Sequence, residues 1–145
     1  QQRYILLNHA PNLRVSVVPH GVDIAHYAPA PMADREISLL FVGYFFNESN
    51  RDAVHWFTRT VWPRLRESHP AIRFYVVGRG ATPALHDLAR RDPRVIVTGE
   101  VDDVRPYLAR ARVFVCPMRI GSGFRAKILE AMASGVPVVS TSLFA

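Results

Sequence analysis

Five short apolar runs, each stopped by glycine or a polar turn and separated by segments of helical character, restrict this chain to one class of fold. The runs cover residues 37–42, 73–77, 95–97, 113–116 and 136–140. They are nearly continuous rather than alternating in polarity, which suits parallel strands covered on both faces. Between the first two, Val54, Phe57, Val61 and Leu65 recur at helical spacing, and Asn50 is placed to cap a helix running to about Ser68. Pro63 lies inside that stretch, where an interior proline costs about 3 kcal/mol, so a kink is expected there. Residues 83–91 read as a short helix with proline in its first turn. A further helix contains Pro106, Tyr107 and Leu108, with Asp102 or Asp103 as its cap, and the last runs over about 123–134. Repeated βα units of this length give right-handed crossovers and an α/β, Rossmann-like, doubly wound parallel sheet.

Upstream, residues 15–18 read as a short strand ending at Pro19, and Ala28-Pro-Ala-Pro31 as a stiff connection. A boundary near residue 35 follows: residues 1–35 are the end of a preceding domain with its linker, and 36–145 form the Rossmann-like domain. The sequence stops just after the fifth apolar run, where a doubly wound domain usually continues, so this domain is expected to be incomplete at its C-terminus. With 145 residues and 49% hydrophobic content, there is enough for one sizeable core but not for two full domains.

Composition narrows the partners only weakly. The formal charge of +6 favours anions, but Arg14, Arg51, Arg64, Arg66, Arg90, Arg91, Arg110 and Arg112 are scattered rather than gathered into the tract of a nucleic-acid surface. No nucleic acid is therefore expected. No uninterrupted apolar run approaches the ~18 residues of a membrane span, and a cytoplasmic location is the expectation. Cys116 stands alone inside an apolar run and reads as a small buried hydrophobe. The six histidines show no paired metal-ligand spacing, and Trp56 and Trp62 read as packing residues.

In an open parallel sheet ligands sit beyond the carboxyl ends of the strands, where glycine lets backbone approach and helix N-termini offer N–H groups to anions. Gly43, Gly78 with Gly80, Gly99, and Gly121 with Gly123 all fall at that edge. Residues 121–126 also fit the relaxed dinucleotide fingerprint Gly-x-Gly-x-x-Ala. That fingerprint expects an acid roughly 20 positions on, after the next strand. The next strand ends in Ser140-Thr-Ser142, and the only nearby carboxylate is Glu130, inside the helix itself. An acid there suits a ribose lying along the helix face.

Several segments carry a family resemblance: Val17-Val-Pro-His-Gly-Val-Asp23, Leu40-Phe-Val-Gly43, Phe74-Tyr-Val-Val-Gly78, Thr98-Gly-Glu-Val101 followed by Asp103 and Tyr107-Leu108, and Gly121-Ser-Gly-Phe-Arg-Ala-Lys-Ile-Leu-Glu-Ala-Met-Ala-Ser-Gly-Val-Pro-Val-Val-Ser-Thr141. Together they resemble the C-terminal domain of a family 4 glycosyltransferase, a retaining GT-B enzyme that uses an NDP-sugar. The resemblance implies that Glu130 hydrogen-bonds the nucleotide ribose. It implies that Gly121, Ser122 and Gly123, with Phe124, form the loop whose amides meet the diphosphate or sugar. Val101 resembles the position whose main chain meets the base, Gly43 and Gly78 the strand-end glycines of the donor site, and Arg125 and Lys127 the diphosphate neighbours. No cofactor or metal is implied beyond the NDP-sugar donor. The implied partners are that donor, an N-terminal acceptor-binding domain and, for the full protein, peripheral association with a membrane.

Two places depart from the family pattern. Ser122 holds the position of the first glutamate of the paired-glutamate motif, and Tyr44 and Ser49 stand where relatives often carry Arg and Lys for the diphosphate. The activity implied is sugar transfer by the full-length protein, this chain alone being inactive. A GT-B nucleotide-sugar epimerase and a non-catalytic sugar-nucleotide-binding module remain the alternatives.

Overall fold

The computed structural model describes residues 12, 14–16, 18–121 and 125–143. Its centre is a five-stranded sheet of β1 (Ser38–Val42), β2 (Arg73–Val77), β3 (Val95–Gly99), β4 (Val113–Cys116) and β5 (Val138–Ser140), in the order β3-β2-β1-β4-β5. All four pairings are parallel. The helices are α1 (Glu48–Thr60), α2 (Trp62–Ser68), α3 (Pro83–Arg91), α4 (Arg105–Arg110) and α5 (Ala126–Ala133). Adjacent residues of β2 show the double winding directly. Phe74 packs against Phe57 of α1 and Trp62 of α2, whereas Tyr75, pointing to the other face, meets Tyr107 of α4. The core is continuous across both layers, with Leu40, Val76, Phe74 and Phe114 at its centre.

Local chemistry moves several boundaries from where the sequence places them. The cap of α1 is Asn47, whose side chain accepts from the Ser49 N–H at 2.9 Å; Asn50 lies inside the helix and donates instead to the Tyr44 carbonyl. The expected kink at Pro63 is a full break, because the helix ends at Thr60 and restarts at Trp62. Proline in the first turn of α2 costs no hydrogen bond, since its N–H would be unpaired there anyway. Neither Asp102 nor Asp103 occupies the cap position of α4, which is Val104; Asp103 acts one residue earlier by accepting the Arg105 N–H at 2.9 Å. The last helix begins at Ala126 rather than 123, because Arg125 has φ −109° and ψ 87°. It ends in a Schellman turn at Gly135, with Val136 N–H on the Ala131 carbonyl and Gly135 N–H on that of Met132. β5 starts at Val138, two residues late. Val15, Ser16 and Val18 lie in no strand, Val18 being 86% exposed, and Val17 lies outside the described residues. Trp56 is half-buried and Trp62 fully buried, as packing residues should be. No helix among the described residues is long and apolar enough to cross a membrane.

Two buried charged groups organise the layers. Arg35 is 4% exposed and donates to four carbonyls: Leu108 (2.9 Å), Ala111 (2.8 Å), Ala30 (3.1 Å) and Ser134 (2.7 Å). Three of these belong to the C-terminal ends of α4 and α5, where the helix dipoles concentrate negative charge. Burial, then the charge of Arg112, lowers its pKa. On the opposite layer Asp92 accepts from Trp62 Nε1 (3.1 Å), Arg66 (3.3 Å) and the Arg94 side chain (2.8 Å), joining α2 to the start of β3. Burial pushes its carboxyl up, but the hydrogen bonds from Arg94, Trp62 and Arg66 outweigh it and hold the pKa at about 2.

Replacing Arg35 by Met leaves four carbonyls without their donor and is expected to cost about 3 kcal/mol, read from the urea unfolding midpoint. Because the folded pKa of Asp92 lies below the unfolded value, its contribution of about 2 kcal/mol is complete above pH 4 and lost as the pH falls towards 2. Asp92→Asn should lower stability at neutral pH by a similar amount and flatten the acid limb of a stability-versus-pH curve in that window.

Candidate functional site: a cleft at the carboxyl edge of the sheet

Strand order reverses between β1 and β4: the chain moves outward from β1 through β2 to β3, then crosses back to β4. Beyond the carboxyl ends of such strands the flanking loops diverge and leave a crevice. A cleft of about 420 Å³ opens there. Its floor is apolar, from Phe41, Val77, Phe114 and Cys116, and its rim carries Arg79, Glu100, Arg125 and Lys127. Burial raises the pKa of the Cys116 thiol, with a smaller opposing effect of Arg125, so the sulfur behaves as part of that floor.

Two glycines set the shape of the floor. Gly78 has φ +136°, and a Cβ there would lie 1.8 Å from the Gly43 carbonyl oxygen, so no other residue fits while β1 and β2 keep their register. The Gly78 N–H donates to the Gly99 carbonyl at 2.9 Å and the Phe45 N–H to the Arg79 carbonyl at 2.8 Å. The loops after β1, β2 and β3 are thereby tied together.

The β4 side is built by the loop leading to α5. Arg119 pairs with Asp52 of α1, its Nε at 3.1 Å from Oδ2, and its guanidinium lies 5.5 Å from the centre of the Trp56 ring. Gly121, with φ +110°, follows next to Ser49 and the Arg125 guanidinium. Arg125, the cap of α5, and Ala126, Lys127 and Ile128 of its first turn then face the cleft, where the helix dipole adds positive potential; the Ile128 N–H is already taken by the Arg125 carbonyl at 3.0 Å. Nothing in the sequence pattern marks Arg119 except a lone cation before Ile120 and Gly121; its acidic partner lies far away in sequence.

Of the residues singled out from sequence, Gly43, Gly78, Val101, Arg125 and Lys127 come together around this cleft. Gly121 sits beside Arg125 without lining it. Glu130 stands one turn behind Lys127, whose Nζ donates to Glu130 Oε2 at 2.9 Å, and its side chain is 14% exposed. On the same side lies Tyr27, whose hydroxyl pKa is raised by burial and by the Glu130 carboxylate. Lys127 thus touches both the cleft and this acid. Ser122, Gly123 and Phe124 lie outside the described residues. Among the described residues no three His, Cys, Asp or Glu side chains gather as a metal site would require.

Comparison with known proteins agrees with this architecture. The family model for glycosyl transferases group 1 matches residues 36–145. Phosphatidyl-myo-inositol mannosyltransferase of Mycolicibacterium smegmatis is 33% identical over 133 residues, covering 87% of this chain and 34% of that protein. The chain therefore spans about a third of the length of that relative. Among solved structures, TarM superposes with a TM-score of 0.74 at 18% identity, covering 98% of this chain and 28% of its own. Anabaena HepE, solved in complex with UDP and glucose, gives 0.67 at 19% identity, covering 89% and 38%. At those identities the likeness speaks for the fold. The match over most of the sequence and the shared sheet agree, and the chain belongs to the group 1 glycosyl transferase family.

Proposed function

We propose that this chain is the donor-binding half of a retaining glycosyltransferase, which moves a sugar from an NDP-sugar to an acceptor held by a separate N-terminal domain. The observation that carries the reading is the polarity of the cleft. Its floor is apolar, while Arg125, Lys127 and the first turn of α5 concentrate positive charge at one end. A nucleoside diphosphate has the matching division, with a flat base at one end and two phosphates at the other.

In this reading the diphosphate lies against the start of α5, with Arg125 and Lys127 as its cations. Glycosyl transfer leaves negative charge on the departing diphosphate, and fixed cations and amides at that point stabilise the transition state more than the ground state. Positioned charges of this kind supply the stabilisation without a metal ion. Glu130 accepts from a ribose hydroxyl along the helix face, and Lys127, bonded to both groups, fixes the carboxylate and balances its charge. The mannosyltransferase relative and the UDP and glucose bound to HepE are consistent with a sugar nucleotide as the ligand. The rest of the reaction, including the acceptor and any membrane-surface contact, belongs to the full-length protein.

Titration calorimetry with GDP- and UDP-sugars should give saturable binding of at least one of them. Lys127→Ala should weaken it by about tenfold or more, the loss expected for one charge-assisted hydrogen bond. Glu130→Ala should weaken binding of the nucleotide but not of inorganic pyrophosphate. Absence of saturable heat with either donor would remove the proposal.

A further inference from the structure

The end of the cleft away from α5 carries charges that phosphate binding does not use. Arg79 follows β2 and Glu100 follows β3, and both line the cleft beside Val101. Their side chains form an ion pair, Arg79 Nε to Glu100 Oε2 at 3.7 Å, too long for a hydrogen bond. At 61% and 69% exposed, both retain unused donors and acceptors. Their backbones are fixed: the Arg79 carbonyl accepts from Phe45 N–H, and Gly78 N–H reaches Gly99 next to Glu100. The two heads are therefore presented side by side from a rigid edge.

We infer that the Arg79–Glu100 pair reads the base of the bound nucleotide and selects guanine over uracil. This rests on the sugar-nucleotide reading above and deepens it. Guanine offers along one edge a carbonyl oxygen, a ring N–H and an amino group, in the sequence acceptor, donor, donor. A guanidinium next to a carboxylate presents donor, acceptor, acceptor, the complement of that edge. Uracil offers a single N–H flanked by two carbonyls, so one of its oxygens would face the Glu100 carboxylate. Val101 and Val104, also in the wall, supply apolar surface for the face of the ring.

The spacing agrees with a single ligand reaching both ends. From β3 to β4 there are three strand spacings, about 14 Å, and α5 starts beyond β4. An extended nucleoside diphosphate bridges such a span, with its base between Arg79 and Glu100 and its phosphates at Arg125 and Lys127. Neither Arg79 nor Glu100 is an obvious candidate from sequence, because each reads as a solvated charge after a turn glycine.

The test is calorimetric titration of the chain with GDP and with UDP, repeated on Glu100→Gln and on Lys127→Ala, with circular dichroism to confirm folding. The native chain should bind GDP about tenfold or more tightly than UDP, since a two-bond base contact discriminates at that level. Glu100→Gln should abolish the preference by weakening GDP alone, whereas Lys127→Ala should weaken both nucleotides alike. Equal or tighter binding of UDP by the native chain overturns guanine selection and leaves the sugar-nucleotide reading standing. A GDP preference that survives Glu100→Gln removes the role of the pair. If neither nucleotide binds, both readings fail together.

Discussion

The guanidinium of Arg35 lies under the sheet's second layer, with hydrogen bonds to Leu108, Ala111, Ser134 and Ala30 and no acidic partner among the described residues. Burying a charge without a counter-ion is costly unless dipoles replace its water. Here the replacement comes from the carbonyl ends of two helices, so α4 and α5 must both be in place for the two terminal nitrogens to be paired, Nε alone staying buried without a hydrogen-bond partner among the described residues. The same requirement orients α5, whose opposite end faces the cleft. Helix dipole, cation and binding edge are thus linked through one rigid element.

On the other layer, Asp92 plays a comparable part with the charge reversed. It gathers donors from α2 and from the segment entering β3, so the strand whose loop carries Glu100 and Val101 is anchored at its start. Between the two layers, the contact of Gly78 with Gly43 keeps the ends of β1 and β2 level. The cleft is therefore bounded by backbone pinned at several points, while the groups facing its mouth are long polar side chains. Rigid floor and adjustable rim suit recognition of a ligand by its dipoles and charges.

Much of this was legible beforehand. The order of apolar runs, the glycines at their ends and the stripe through Val54 and Phe57 each report a local preference, and local preferences survive folding when packing agrees with them. The boundaries shifted where two local solutions competed. Asn47 and Asn50 are both acceptable caps, and only the turn through Tyr44 to Asn47, which uses the Asn50 side chain as donor, selects the first. Likewise, Pro63 could kink one helix or open another, and the break at Val61 lets it sit where no N–H is needed.

The sequence by itself determined the class of fold, the edge of the sheet at which the cleft opens and several residues that line it, because strand periodicity and turn glycines are encoded within a few neighbouring positions. Its motifs also carried the family. Tertiary structure alone decided that Arg35 caps two helices, that Arg119 meets Asp52 and Trp56, and that Arg79, after β2, pairs with Glu100, after the neighbouring β3. Each of these joins residues distant in the chain, and their pairing follows from sheet order and crossover, which no local pattern specifies.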